Sequence, residues 1–235
     1  MFVPSFYREP NNSWTADLIR DNPLALAVTN GSPENGPFAT HLPVIFDPDA
    51  PDAPDAPDAP GAPEASGDAG TSEDAGDGLR GVTLLGHMNR ANPHWAALET
   101  GSVLLLTFTG PHSYVSPTVY EKTPAAPTWN FTAVHIRGVV ERIDSTEETL
   151  EVVQATVRAF EKAFGDGWDM TDSLDYFRKI VPAVGAFRYT VTGAEGMFKL
   201  SQEQPGEVRE RVRTAFGQSG CTYKREVAGL MNRLA

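Results

Sequence analysis

The amino-acid sequence predicts an α+β fold, mainly antiparallel β, in which a compact β-barrel carries helices on its outside. Three observations carry that expectation. Strand-like segments fill most of the chain up to residue 143, and helical periodicity takes over from Ser145. Residues 127–143 alternate over a length that suits a barrel strand. The chain has no GxxxxGKS or GxSxG sequence that would favour a doubly wound α/β arrangement.

Ser13 is placed to cap a short helix carrying Trp14, Leu18 and Ile19, which Asn22-Pro23 ends because the residue before a proline avoids helical backbone. LALAVTN (24–30) reads as a buried strand and Gly31 to Gly36 as a turn into PFATHLPVIF (37–46), so the two form a hairpin. RGVTLLGH (80–87) is the next strand, followed by a brief helix around Asn92 to Leu98 and the strand VLLLTFTG (103–110). In PTWNFTAVHIRGVVERI (127–143), Trp129, Phe131, Ala133 and His135 share one face, and Val134, Ile136 and Val140 share the other. Both faces are apolar enough to be buried. Behind a Ser145–Glu148 capping box, Leu150, Val153, Val157, Phe160 and Phe164 recur at helical spacing. A helix over Leu174 to Ile180, a strand AFRYTVT (186–192) and a segment GMFKLSQEQ (196–204) follow. Pro205 then suits the first turn of a helix striped by Val208, Val212 and Phe216, and a last amphipathic piece carries Leu230, Met231 and Leu234.

The whole reads as one domain over 1–235 with a C-terminal helical appendage at 205–235. Between the second and third strands, residues 47–78 form an insertion of four Pro-Asp-Ala triplets and a Gly, Ala, Ser and acid-rich run. It has too little apolar surface to offset its ordering entropy, so it is expected to be disordered. It only lengthens the connection, and closure entropy grows with the logarithm of length.

The formal charge is −12, but ten acids and no Lys or Arg lie in 47–78. The remainder has 21 acids against 19 bases and offers no basic footprint for nucleic acid. One cysteine, Cys221, excludes an internal disulfide and the multi-thiolate zinc and iron–sulfur motifs. With no basic N-region ahead of an apolar stretch and no long apolar run, the expectation is a cytoplasmic protein without a membrane span.

All five histidines, His41, His87, His94, His112 and His135, lie in the strand-rich part, which points to a metal or cofactor. No pair has HxxxH spacing, which argues against mononuclear zinc. GHMNRANPHW (86–95) is the densest candidate. Arg90 suits a phosphate or carboxylate, and Asn92-Pro93 suits a helix start. TGPHSYVSPTVY (109–120) and PTWNFTAVH (127–135) add aromatic and hydroxyl groups fit for a flat conjugated ligand, and FKLSQ (198–202) offers Lys199, Ser201 and Gln202. Composition and spacing reach a cofactor-sized pocket lined by imidazole and aromatics.

MFVPSFYRE, FATHLP, GHMNRANPHW, FTGPHSYVSP, PTWNFTAVH and FKLSQ, in this order, resemble the PaiB-type proteins, labelled FMN-binding negative transcriptional regulators. The resemblance implies the FMN-binding split-barrel fold and a homodimer with cofactor sites near the subunit interface. MFVPSFYREPNNSW, GHMNRANPHW and the tail KLSQEQPGEVRERV, where the regulators more often have KLSQNR, are similar to one branch, the piperazate synthases of actinobacterial peptide biosynthesis. That branch binds haem b and closes N5-hydroxyornithine into piperazic acid by N–N bond formation.

The resemblance therefore implies haem b, or alternatively FMN. A haem without CxxCH attachment needs one imidazole in an apolar slot. His87 is the expected metal ligand, His94 the second candidate and Cys221 a remote third. Arg90 would hold the carboxylate of a small amino-acid substrate, and His135 or Tyr120 would act as catalytic base. For FMN, Arg90, Lys122 or Lys199 would cradle the phosphate, and Trp129 or Trp95 would stack on the ring. Gln202 is a further candidate cofactor contact. No helix-turn-helix accompanies the regulator reading, so DNA is the weaker partner.

Overall fold

The structure, a computed structural model, describes residues 1–11, 13–31, 34, 36–50, 54 and 78–234. Helix α1 (Ser13–Asp21) leads into strands β1 (Leu24–Thr29), β2 (Phe38–Phe46) and β3 (Thr83–Asn89). Then come α2 (Pro93–Ala97), β4 (Val103–Val115), β5 (Thr128–Ile143), α3 (Thr146–Phe164), α4 (Leu174–Ile180), β6 (Val184–Lys199), α5 (Gly206–Gly217) and α6 (Thr222–Arg233). The strands hydrogen-bond in the closed order β1-β2-β3-β6-β5-β4. The expected hairpin is present, with Leu24 opposite Pro43 and Thr29 opposite Phe38. β2 and β3 pair antiparallel across the insertion, Val44 opposite Gly86. The expected disorder of 47–78 falls mostly outside the described residues.

By contact the chain divides into two compact units. One comprises Met1–Asn22, Thr107–His135 and Glu195–Ala235, the other Pro23–Leu106 and Ile136–Ala194. In the second unit, Leu84, Leu104, Leu106, Ile136, Phe187 and Tyr189 are fully buried. The Tyr189 hydroxyl lies 3.0 Å from both the Leu104 and Ile136 carbonyl oxygens, which gives the buried phenol an acceptor. Gly138 faces its ring and the Thr190 carbonyl so closely that no Cβ would fit. In the first unit Trp14 meets Phe198 edge-on at 5.2 Å. There Val208, Val212 and Phe216 of α5 and Val227, Ala228 and Met231 of α6 are buried.

Four expectations change. The strand expected to end at Gly110 continues to Val115, and the strand at 186–192 runs on as β6 into the segment 196–204, as far as Lys199. β5 buries only one face. Asn130, Thr132, Val134, Ile136 and Val140 are inside, while Trp129, Arg137 and Val139 are exposed. In α3 the Ser145 cap accepts from the Glu148 N–H at 3.2 Å as expected, but the buried stripe is Thr149, Val152 and Thr156. Small residues there let the helix lie close on Ile45, Leu85, Ile143 and Ala186, with Ala155, Ala159 and Phe160 packed alongside, while Phe164 is left exposed. Among the described residues no helix is long and apolar enough to cross a membrane.

Candidate functional site

The sequence candidates divide between the two units. In Pro23–Leu106 with Ile136–Ala194, the segment 86–95 is held by β6 and by its own turn. His87 lies opposite Ala186 and Asn89 opposite Val184. The Arg90 N–H donates to the Ala183 carbonyl at 2.8 Å, and its Nε donates to the Val184 carbonyl at 2.7 Å. Asn92 caps α2, its Oδ1 accepting from the His94 N–H at 2.9 Å, with Pro93 in the first turn. This local chemistry explains why a polar run ends a strand and starts a helix.

His94 is a structural residue, which corrects its candidacy as ligand. Its ring is 1% exposed, Nε2 lies 2.9 Å from the Thr29 hydroxyl and Nδ1 2.9 Å from the Thr40 hydroxyl, and Phe38 stacks on it at 5.5 Å. No ring nitrogen is left for a metal. Trp95 is likewise no flavin platform. It is buried against Gly185, with the Arg142 guanidinium 4.2 Å and that of Arg90 5.7 Å from its ring.

His87 differs. Alternation along β3 puts it on the same face as Leu85, and its Nδ1 is buried without any hydrogen-bond partner. Burial pushes its pKa below the ordinary imidazole value, so the ring is neutral near pH 7 and can offer a lone pair. An orphaned buried nitrogen costs about 1–3 kcal/mol unless something binds it. This fits a nitrogen donor to an iron porphyrin. Arg90, three residues on, keeps guanidinium N–H groups beyond the one given to Val184.

In the unit of Met1–Asn22, Thr107–His135 and Glu195–Ala235, β4 and β5 present an aromatic platform. His112 stacks on Tyr223 of α6 at 5.4 Å and lies 5.7 Å from Trp129, and Tyr114 meets Trp129 edge-on at 6.1 Å. Tyr114, Trp129 and Tyr223 are 45%, 51% and 58% exposed, so the platform is open to solvent. His135 is half-buried further along the same face of β5. Tyr223 was not legible as a partner, because only the fold brings α6 to β4.

The FKLSQ segment in that unit is mainly a turn. Gln202 is consumed by it, Oε1 accepting from the Leu200 N–H and Nε2 donating to the Phe198 carbonyl, each at 2.6 Å. Its expected cofactor contact is therefore corrected. Buried Ser201, at φ 65°, exchanges hydrogen bonds with buried Asn130. Lys199 donates to the Thr128 hydroxyl at 2.6 Å and lies 5.5 Å from the Tyr7 ring, and Lys122 donates to Gln204 at 3.1 Å.

Tyr120 does not suit a base. Burial first, then the charges of Glu203 and Tyr114, push its phenol up and hold it protonated, and its hydroxyl has no partner. Tyr7, which sequence reasoning missed, is raised by burial and by its hydrogen bond to Glu203. Cys221 is exposed ahead of α6. Among the described residues no group of three His, Cys, Asp or Glu side chains could hold a metal ion.

A profile of the family described as "Putative FMN-binding domain" matches residues 1–193. The Bacillus subtilis protein named "Protease synthase and sporulation protein PAI 2" is 25% identical over 206 residues, covering 87% of this chain and 83% of its own. An uncharacterised protein of Emericella nidulans is 25% identical over 264 residues, covering 98% and 96%. Among solved structures, an FAD and heme binding protein from Mycobacterium smegmatis matches with TM-score 0.53 at 13% identity, covering 87% of this chain and 78% of that one. The flavocytochrome Anf3 from Azotobacter vinelandii matches with TM-score 0.51 at 14% identity, covering 87% and 75%. At such identities the structural likeness speaks to the fold, which is the split barrel.

Proposed function

We propose, from the premise that this chain belongs to the family of FMN-binding domains matched over residues 1–193, that it is a haem-dependent cyclase closing N5-hydroxyornithine into piperazic acid. The observation that carries the reading is the buried, unpartnered Nδ1 of His87, on a neutral imidazole in the segment that looks like the piperazate synthases. In the reaction the α-nitrogen lone pair forms the N–N bond as the N–O bond breaks. The departing hydroxyl takes up one proton and leaves as water while the α-nitrogen gives one up, so no external oxidant or reductant is needed. Bound haem would supply Lewis acidity at the N–O bond.

The chain's own residues do the rest. His87 donates nitrogen, and desolvation keeps it from protonating and losing that role. Arg90, fixed through Nε to the Val184 carbonyl, turns its remaining N–H groups to the substrate carboxylate. Tyr120 keeps its proton and does not serve as the base. The working form is a cytoplasmic homodimer.

A second reading, FMN bound by a regulator or flavin oxidoreductase, is favoured by the solvent-open platform around Trp129. Reconstitution with hemin and with FMN separates the two. A stoichiometric Soret band that disappears in His87→Ala, with piperazic acid formed from N5-hydroxyornithine, is the expected result. Uptake of FMN and refusal of hemin refutes the haem reading, and a retarded promoter fragment in a gel shift would favour the regulator.

A further inference from the structure

The structure carries a cavity in the unit of Met1–Asn22, Thr107–His135 and Glu195–Ala235, of about 280 Å³. Its floor is Trp14, Leu18, Thr132 and Phe198, all buried. Native interiors seldom leave such a volume unfilled beneath an opening, and ligand sites of this kind pair an apolar floor with a few polar groups.

The mouth is acidic. Asp17 and Asp21, one turn apart on α1, and Glu226 of α6 set three carboxylates against one guanidinium, Arg233. That guanidinium is already engaged, donating to Asp17 and to the Ser13 hydroxyl while lying 4.6 Å over Trp14. Asp17 also receives Arg20 at 3.4 Å. Asp21 and Glu226 make no ion pair among the described residues. Burial, then the neighbouring Asp17 charge, push the Asp21 carboxyl up against the opposing pull of Arg233 and Arg20. A bare metal ion does not suit the mouth, since no group of three ligating side chains converges among the described residues. An ammonium on an apolar stem satisfies both halves, its charge between the carboxylates and its methylenes on the floor.

We propose that this cavity binds a small primary alkylammonium compound at Asp21 and Glu226, with its chain on Phe198 and Leu18. The site is independent of the cofactor reading. The test is a calorimetric titration of the full chain with n-pentylamine, with 1-pentanol and pentanoate as matched probes, on wild type and on D21N/E226Q. Both substituted residues are exposed, so the variant keeps the fold, which circular dichroism verifies.

Wild type should bind the ammonium in preference to the alcohol and the acid. The double variant should lose about tenfold or more in affinity for the amine, and none for the alcohol. Equal binding of the amine by both proteins, or no heat from it at millimolar concentration in wild type, overturns the proposal. Hemin uptake should be the same in both. Its loss in D21N/E226Q would assign these carboxylates to the cofactor instead and also overturn it.

Discussion

Replacing each of the two histidines of the GHMNRANPHW segment by leucine should move stability in opposite directions. His87→Leu removes an imidazole whose Nδ1 has no partner and puts an apolar side chain of similar bulk on the face that Leu85 shares. Relief of an orphaned polar atom is worth about 1–3 kcal/mol, less whatever strain the new shape brings, so the apoprotein should gain about 1 kcal/mol. His94→Leu breaks contacts at both ring nitrogens, strands the buried Thr29 hydroxyl and ends the stack on Phe38, while the Thr40 hydroxyl keeps the Asn92 amide as donor. One stranded group, two lost hydrogen bonds and a lost ring contact should cost about 3 kcal/mol. Urea unfolding of the apoproteins, followed by far-UV circular dichroism, measures both. Added hemin should then stabilise wild type and His94→Leu by mass action and leave His87→Leu where it was. If His87→Leu destabilises the apoprotein as much as His94→Leu, His87 is an ordinary structural histidine and the ligand assignment falls.

Other consequences follow from the same geometry. Burial lowers the pKa of both His87 and His94, so the unfolded chain binds more protons below its own imidazole pKa near 6.5. Their contribution is complete above that pH and is lost as pH falls below it, by up to about 1.4 kcal/mol per pH unit for each residue. Urea midpoints of His87→Leu against wild type should diverge steadily in the variant's favour from pH 7 to pH 5.5, and parallel curves would contradict the assigned burial. Gly138→Ala should cost about 3 kcal/mol, because its Cβ would run into the Thr190 carbonyl, which cannot turn aside, and into the Tyr189 ring. Thermal melts read this, and an unchanged Tm would refute the packing. Tyr120→Phe should be neutral or slightly stabilising, since its hydroxyl has no partner. Tyr189→Phe should cost about 1 kcal/mol, because it loses a bond to buried carbonyls. Equal losses in the two variants would undo that distinction.

Local chemistry made much of the fold readable, and its limits follow from what local chemistry leaves out. The Ser145 cap, the Asn92-Pro93 helix start and the α4 boundaries are decided by neighbours a few residues away, and all were legible. The split-barrel resemblance, carried by six ordered segments, agrees with the family match and the strand order. The stripe of α3 was not legible, because hydrophobicity marks Leu150 and Val153 while contact distance selects Thr149 and Thr156, whose hydroxyls bond back to their own helix at 2.8 Å and so can be buried.

The histidines make the same point about chemistry. In sequence, His87 and His94 are equivalent imidazoles seven residues apart, and only the positions of Thr29 and Thr40, more than fifty residues upstream, show that one of them is already satisfied. A candidate donor is thus recognised by the partner it lacks. In this segment that criterion isolates His87, whose Nδ1 is buried without a partner, and excludes His94. It makes the paired leucine substitutions a sharper test of the site than loss of activity alone, because a destabilising imidazole retained in a buried place is accounted for only by what binds it.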